Sequence, residues 1–186
     1  MNFILASKSP RRIEILNKAN FNFKVIPSNI NEKLVSTNTS PKVYCMQLAK
    51  LKSLDISKKY QDQTVIGADT IVFIKDKILN KPKNISDSKR MLKLLSNNTH
   101  QVLTGVSLQN KLLNIDFTFF DITKVTFYPL DKLEIDNYIR EYKPLDKAGS
   151  YGIQDGSALF VKSISGSYDN IMGFPISKFY QSLKLI

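Results

Sequence analysis

Two adjacent arginines, Arg11 and Arg12, follow a Ser-Pro pair near the start of the sequence. Arginine is scarce in this chain, because only four of its 27 lysines and arginines are arginine. A Ser-Pro pair is typical of a helix start, where unpaired N–H groups and a partial positive charge attract anions. Hydroxyl groups of Ser7 and Ser9 add donors, and a guanidinium binds phosphate oxygens in a bidentate geometry that lysine cannot reproduce. The pattern predicts a phosphate site, with two solvated surface arginines as the alternative.

A carboxylate stands in the middle of an apolar, β-branched stretch. Asp69 is the third residue of Gly-Ala-Asp-Thr, at the centre of TVIGADTIVFI, residues 64–74. A carboxylate in such a strand is costly unless it is paired, bound to a metal or placed at a cleft. Glu32, the acid of the turn SNINEKL, is a candidate partner, and two carboxylates on Mg²⁺ or Mn²⁺ with lysines nearby could cleave a phosphoanhydride. The alternatives are a strand-end aspartate that accepts backbone hydrogen bonds and a solvated loop glutamate.

A third candidate is the glycine-rich stretch DKAGSYGIQDGSALF, residues 146–160. Its three glycines allow the backbone to approach a ligand closely, and Gln154 could read the amide edge of a nucleobase. Neither the Walker phosphate loop nor the Rossmann GxGxxG pattern occurs, so ordinary ATPase and dehydrogenase interpretations lack support. A Ser-His-Asp triad built on His100 has no nucleophile-elbow sequence beside it and is disfavoured.

Alternating helix and strand patterns surround these candidates. Caps and apolar periodicity predict helices that begin at Ser9-Pro10, Ser40-Pro41, Ser86 and Pro175, and one over residues 130–142. Strands are predicted at residues 3–6, 21–27, 64–74, 78–79, 101–109, 117–130 and 157–164. No internal repeat and no linker-like tract divides the chain. We therefore predict one α/β domain over residues 1–186, with a mixed sheet pinched into two lobes.

The composition excludes several classes of protein. A single cysteine, Cys45, cannot form an intramolecular disulfide, and with a single histidine the usual His/Cys zinc sites are excluded. No apolar run is long enough to cross a bilayer and no leader sequence is visible, so we expect a cytoplasmic protein that does not engage a membrane. The net charge of +11 would suit nucleic acid. Because the lysines are scattered and no nucleic-acid-binding motif accompanies them, nucleic-acid binding is an unfavoured alternative.

Taken together, the motifs resemble the Maf family of nucleoside triphosphate pyrophosphatases, also called septum-formation proteins. The resemblance rests on ILASKSPRR, Glu32, LAKLKS, VIGADTIV, NKP, THQVLTGV and the stretch PLDKAGSYGIQDGSALFVKSISGSYDNIMGFPI, in that order along nearly the whole chain. It implies a fold like that of inosine triphosphate pyrophosphatases: an elongated mixed β-sheet flanked by helices, with a cleft between two lobes. It further implies a homodimer that hydrolyses nucleoside triphosphates between the α and β phosphates with a divalent cation, Mg²⁺ or Mn²⁺.

The resemblance also implies roles for individual residues. Phosphate binding falls on Ser7, Ser9, Arg11 and Arg12. Asp69 becomes the general base or a metal ligand, Glu32 a second metal ligand, and Lys52 and Lys81 neutralise charge on the phosphates.

The family divides by substrate. Members with Gly-Ala-Asp-Thr and Tyr-Gly-Ile-Gln resemble a dTTP/UTP branch, whose specificity positions fall on Arg12, Thr70 and Gln154. The departures are small, with Asn31 where an acid is common and Asn80 where glycine is usual. The resemblance thus implies dTTP, UTP and modified pyrimidine nucleotides as substrates. The alternatives are 7-methyl-GTP as substrate, or a non-catalytic nucleotide- or nucleic-acid-binding protein that affects septum formation.

Overall fold

The computed structural model describes residues 3–186, apart from the side chain of Lys33. The helices are α1 (Pro10–Lys18), α2 (Pro41–Ser57), α3 (Ile85–Leu95), α4 (Lys132–Tyr142), α5 (Tyr168–Met172) and α6 (Ile176–Ser182). The strands are β1 (Phe3–Leu5), β2 (Phe23–Val25), β3 (Thr64–Ile74), β4 (Lys77–Leu79), β5 (Thr99–Asn110), β6 (Ile115–Phe127) and β7 (Val161–Ser165). Short 3-10 turns, among them Glu32–Leu34 and Gly156–Phe160, lie in the connections.

The strands form one seven-stranded mixed sheet in the order β2-β1-β3-β5-β6-β7, with β4 paired to β3. Strand β1 is parallel to β2 and to β3, whereas β3 with β4 and β6 with β7 are antiparallel. Leu5, the last residue of β1, lies opposite Ile66, so the second half of β3 continues past the end of β1. The polar residues Asp69 and Thr70 therefore lie beyond the carboxyl end of β1, on the same side of the sheet's strands as Ser7, which follows β1.

The chain divides into two compact units. The first comprises the chain up to Thr70, Thr104–Asp121 and Gly173–Ile186, and the second comprises Ile71–Leu103 and Ile122–Met172. The single domain over residues 1–186 stays a prediction.

Helix α2 lies directly on the sheet of the first unit. Its apolar side chains Tyr44, Cys45, Leu48, Ala49 and Ile56 are buried. Two glycines allow the close approach, because a Cβ atom at Gly67 would collide with the carbonyl oxygen of Ala49, and one at Gly105 would lie 2.5 Å from that of Cys45. The helix backbone can rest on β3 and β5 only where the strands carry no side chain.

The second unit has its own apolar core. Side chains of α3 and α4 pack against β5 and β6 around Leu92, Phe127 and Ile135, all buried. Helix α4 begins with a capping box, in which Asp131 accepts a hydrogen bond from the backbone of Glu134 and the Glu134 side chain accepts one from the backbone of Asp131. Both contacts fix the start of the helix.

Several predicted elements differ from the structure. Helix α3 starts earlier than the predicted cap Ser86, because the Asn84 side chain accepts the Asp87 N–H at 2.9 Å and is the N-cap. Residues 157–160 belong to a 3-10 turn rather than a strand, since Asp155 caps that turn at the Ser157 N–H. Strand β2 is shorter than predicted, and α5 was not predicted at all. Among residues 3–186, no helix is long and apolar enough to span a membrane.

Candidate active site

Lys52 forms ion pairs with both carboxylates that the sequence singles out, Asp69 and Glu32. Its Nζ lies 2.6 Å from Oδ1 of Asp69 and 2.7 Å from Oε1 of Glu32. The side chains of Lys52 and Asp69 are each 12% exposed, whereas that of Glu32 is 53% exposed. Asp69 is therefore paired, and its charged partner accounts for a carboxylate in an otherwise apolar strand.

Three separate elements supply this cluster. Asp69 lies on β3 beyond the end of β1, Lys52 on α2, and Glu32 opens a 3-10 turn. Lys52 reaches Asp69 because Gly67, two residues before it, lets α2 lie directly on β3. The glycine of Gly-Ala-Asp-Thr thus places the lysine beside the aspartate.

Burial disfavours the charged form of Asp69. Loss of hydration raises the pKa of this carboxyl above its usual value, and the positive charges of Lys52 and Arg12 oppose that rise. A carboxylate with a raised pKa is a better proton acceptor than a solvated one, because the optimum for general base catalysis lies nearer the working pH. The Asp69 carboxylate can therefore accept a proton, and Lys52 and Arg12 supply positive charge beside it.

Arg12 is held inside the protein. It is 9% exposed, and its guanidinium donates to the Gly173 carbonyl at 2.9 Å, to Ser7 Oγ at 3.1 Å and to Thr70 Oγ1 at 3.0 Å. The alternative of solvated surface arginines is thus wrong for Arg12, while Arg11 is half-buried on the same turn. Burial lowers the pKa of Arg12, and the charges of Asp69 and Glu32 oppose that lowering, which places the arginine in the field of the carboxylate cluster.

The hydroxyl of Thr104 also belongs to this site, although no motif of the sequence singled it out. Its Oγ1 lies 3.0 Å from Thr70 Oγ1, and Thr104 is fully buried on β5. A threonine inside the apolar run of β5 was the available signal, since a buried hydroxyl needs a polar partner. Ser9 is the N-cap of α1 but makes no side-chain capping bond, and its backbone N–H instead donates to Ser7 Oγ at 3.2 Å.

Replacing Arg12 by lysine should destabilise the protein although the charge is kept. An ammonium cannot reach three acceptors arranged for a planar guanidinium, so buried acceptors lose their donor and the free energy of unfolding should fall by about 2 kcal/mol. Urea denaturation measures the change. Arg140→Lys, the same exchange at an exposed position of α4, is the control and should stay near wild type. Equal stabilities of Arg12→Lys and Arg140→Lys would contradict the contacts described.

The carboxylates suit a hard divalent cation. Mg²⁺ and Mn²⁺ prefer oxygen ligands, and Mg²⁺ is usually held by one or two carboxylates completed by substrate phosphates and water. Glu32 and Asp69 already approach one shared cation, the Lys52 ammonium, from two elements. Within residues 3–186, no group of three or more His, Cys, Asp or Glu side chains is gathered as a metal site. The donor set therefore fits a metal that arrives with a phosphate ligand.

The remaining candidates lie in the second unit. Lys81 is exposed just after β4, and Gln154 is exposed in a turn at residues 153–155. The structure thus gathers Ser7, Arg12, Glu32, Lys52, Asp69 and Thr70 in the first unit, with Ser9 and Arg11 on the same turn as Arg12. The roles of Lys81 and Gln154 stay predictions.

His100 does not form a triad. It is 1% exposed, its Nε2 lies 2.7 Å from the Tyr151 hydroxyl, and its ring packs edge-on against Phe127. Burial lowers the pKa of His100 from 6.5 to about 3, so the ring is neutral in the folded protein at physiological pH. The histidine belongs to the core of the second unit.

The buried histidine should make the fold sensitive to acid. Because the pKa of His100 is 6.5 when unfolded and about 3 when folded, the unfolded chain binds the extra proton between these values. The neutral ring thus makes its full contribution to the free energy of unfolding above pH 6.5. That contribution falls as the pH drops, by up to about 1.4 kcal/mol per pH unit. Between pH 7 and pH 4.5, the free energy of unfolding measured by urea denaturation should fall less in His100→Gln than in the wild type. Glutamine keeps a polar group near Tyr151. Equal losses in both proteins would contradict a neutral buried ring.

The sequence is similar to known proteins over nearly its whole length. The family model described as Maf-like protein matches residues 2–186. A dTTP/UTP pyrophosphatase of Bacillus cytotoxicus is 46% identical over 182 residues, covering 98% of this chain and 94% of the relative. One from Bacillus pumilus is 49% identical over 175 residues, covering 94% and 91%. The solved structure of a HAM1 protein from Coxiella burnetii matches with a TM-score of 0.52 at 12% identity over 100% of both chains, which supports the fold alone. The predicted α/β class with a mixed sheet is confirmed.

Proposed function

The chain belongs to the Maf-like protein family, and we propose on this basis that it hydrolyses nucleoside triphosphates to the monophosphate and pyrophosphate, with dTTP and UTP as substrates. The observation that carries the proposal is the buried Asp69–Lys52 pair beside Glu32 and Arg12. Relatives named dTTP/UTP pyrophosphatase, at 46% and 49% identity over almost the whole chain, support the reaction and the substrates.

Asp69 acts as the general base in this proposal. Its carboxylate accepts a proton from the attacking water, and burial supports the role because it raises the pKa of the group. Lys52 holds the carboxylate at 2.6 Å and carries positive charge to the place where phosphate charge develops. The water oxygen forms a bond to the α-phosphorus. The bond from the α-phosphorus to the oxygen that bridges it to the β-phosphorus breaks, and pyrophosphate leaves.

The first turn of α1 binds phosphate oxygens. Ser7, Ser9 and Arg11 lie at the start of this helix, whose N–H groups favour an anion. Arg12 contributes a fixed positive charge, since Gly173, Ser7 and Thr70 determine its orientation. Positioning and charge, rather than a covalent intermediate, account for catalysis here.

Glu32 and Asp69 would hold a divalent cation, Mg²⁺ or Mn²⁺. When bound, the cation neutralises phosphate charge and polarises a phosphoryl oxygen. Lys52 contacts both carboxylates and keeps them oriented toward one point. Lys81, exposed after β4, adds a further positive charge for the phosphates.

Arg12, Thr70 and Gln154 determine substrate choice in the proposal. Gln154 offers an amide to the edge of the base, and Thr70 contacts Arg12 through its hydroxyl. The alternatives of 7-methyl-GTP as substrate and of a non-catalytic nucleotide- or nucleic-acid-binding protein rest on no observation in the structure. The homodimer, the cytoplasmic location and any role in septum formation stay predictions.

Pyrophosphate release from a panel of triphosphates tests the proposal. The panel contains dTTP, UTP, CTP, GTP and 7-methyl-GTP, each with Mg²⁺ and with Mn²⁺. We expect release from dTTP and UTP at rates well above the others. A folded protein that cleaves none of them, yet binds long DNA in a salt-sensitive manner, would favour the binding protein instead.

A further inference from the structure

A polar cluster in the second unit holds the turn that carries Gln154. It consists of Tyr138 on α4, Gly152 and Asp155 in the turn, and Ser157 just after it. None of these four residues has a part in the chemistry proposed above. Their contacts join residues within three positions of Gln154 along the chain, or link those neighbours to α4.

Tyr138 ties both sides of the turn to one helix. Its hydroxyl donates to Oδ1 of Asp155 at 3.0 Å and accepts the Gly152 N–H at 3.2 Å. Burial raises the pKa of Tyr138 above its usual value, which keeps the hydroxyl protonated and able to donate. The Tyr138 hydroxyl thus contacts the residues on both sides of Ile153 and Gln154. We call the contacts of Tyr138 and Asp155 with this turn the clasp.

Asp155 closes the turn from the other end. Its Oδ1 accepts the Ser157 N–H at 3.0 Å, and the Ser157 hydroxyl donates to the Gly152 carbonyl at 2.7 Å. The backbone N–H of Asp155 also donates to the Gly152 carbonyl at 3.0 Å. Gly152 is therefore held through both its N–H and its carbonyl, and Ser157 is fully buried.

Close packing leaves the clasp little room to move. The Tyr138 ring stacks on Tyr142 with centroids 5.2 Å apart, and a Cβ atom at Gly156 would collide with the Tyr142 ring. A Cβ at Gly152 would lie 2.8 Å from Oδ2 of Asp155. Gly156 thus lets the turn fit against α4, and a side chain at Gly152 would press on the Asp155 carboxylate.

Gln154 is the exposed residue of this clasped turn. A glutamine has three side-chain torsions, so it discriminates between bases only if its backbone is already fixed. A site that hydrogen-bonds a substrate group gains selectivity because the wrong substrate leaves a polar group unpaired. That selectivity disappears when the turn can move to accommodate another base.

We propose that Tyr138 and Asp155 are positioning residues for substrate selection, which fix the 152–155 turn so that the Gln154 amide meets a pyrimidine base in one geometry. The inference rests on the proposed function, in which Gln154 reads the base. It adds two residues that contact neither the phosphates nor the reacting atoms.

The test compares Tyr138→Phe with Tyr142→Phe. Each variant loses one hydroxyl and keeps its ring, and the two rings are stacked on the same helix. In Tyr138→Phe we expect KM for UTP and dTTP to rise by up to about tenfold, because substrate binding must then order a turn that the lost hydrogen bonds had held. The kcat at saturation should stay near wild type, and the melting temperature should fall by a few degrees because the buried Gly152 N–H loses its acceptor. Tyr142→Phe should behave as wild type throughout.

A double variant separates positioning from general loosening. Gln154→Ala should raise KM for UTP, and adding Tyr138→Phe to it should raise KM little further, because the hydroxyl acts through the glutamine. Fully additive effects would overturn the inference, as would an unchanged KM in Tyr138→Phe or in Gln154→Ala.

Asp155 offers a rescue experiment. Asp155→Ala removes the acceptor and should raise KM as Tyr138→Phe does. Asp155→Asn should recover most of the affinity, because a single oxygen accepts from both the Tyr138 hydroxyl and the Ser157 N–H. No recovery in Asp155→Asn would mean that the charge near Lys147, 3.7 Å away, matters instead, and would overturn the clasp.

Failure of the proposed function is recognised in the wild type. If the folded wild-type protein released no pyrophosphate from any triphosphate, the hydrolase would be excluded before any variant is compared. Equilibrium binding of UTP to the wild type, Tyr138→Phe and Tyr142→Phe would then decide the inference. Weaker binding by Tyr138→Phe alone supports the clasp, and equal binding by all three overturns it.

Discussion

Asp69→Asn should reduce pyrophosphate release from dTTP and UTP about a thousandfold, within the range that general acid–base catalysis contributes. The amide keeps the size and one acceptor oxygen of the carboxylate but cannot take a proton from water at neutral pH. Lys52 loses one charged partner and keeps Glu32 at 2.7 Å, so the fold should persist. The measurement is a steady-state assay of pyrophosphate release, with circular dichroism to confirm folding.

Asp116→Asn is the matched control for this variant. Asp116 pairs with another lysine of α2, since Lys50 Nζ lies 2.7 Å from its carboxylate, but the Asp116 side chain is 57% exposed. The same chemical change there should leave the rate near that of the wild type. A rate near that of the wild type in Asp69→Asn would refute the role of Asp69 as base.

The second large effect is expected from Gly67→Ala. The added methyl group would collide with the Ala49 carbonyl and lie 2.7 Å from the backbone N of Ser53. Backbone atoms cannot move aside as a flexible side chain can, so α2 must shift away from β3. The free energy of unfolding should fall by about 3 kcal/mol, as for other overpacked core positions.

This variant should also lose activity where it remains folded. Moving α2 away from β3 carries Lys52 away from Asp69, which is two residues from the substitution. Urea denaturation gives the stability, and an assay at low temperature gives the rate of the folded fraction. Gly105→Ala provides a comparison, because its methyl group would meet the same helix one turn or more away, at Cys45 and Met46. A Gly67→Ala protein within about 0.5 kcal/mol of the wild type, the usual size of a surface substitution, would show that α2 does not depend on this glycine.

Elements with local signals can be predicted from the sequence alone. Ser40 caps α2 as predicted, because its hydroxyl accepts a hydrogen bond from Val43 three residues away. The apolar run around Asp69 is strand β3, since β-branched residues favour a buried strand. The cap of α3 was predicted two residues late, because Asn84 and Ser86 are both good caps and only the folded chain shows which one accepts the bond.

The sequence also indicated which residue types could act on a phosphate, but not how they are held. A scarce arginine pair and a carboxylate in an apolar strand are visible without a structure. That Arg12 binds the Gly173 carbonyl, 161 residues away, is not. Nor could sequence spacing show that Thr104, a residue of the buried strand β5, supports Thr70.

The position of Lys52 between Asp69 and Glu32 depends on tertiary packing. Capping, periodicity and turn chemistry act over a few residues, so they predict each of the three elements alone. The distance between lysine and aspartate depends on how closely α2 approaches β3, and that depends on side chains missing at Gly67 and Gly105. Because packing between elements distant in the chain sets this distance, the arrangement of Lys52, Asp69 and Glu32 exists only in the folded protein.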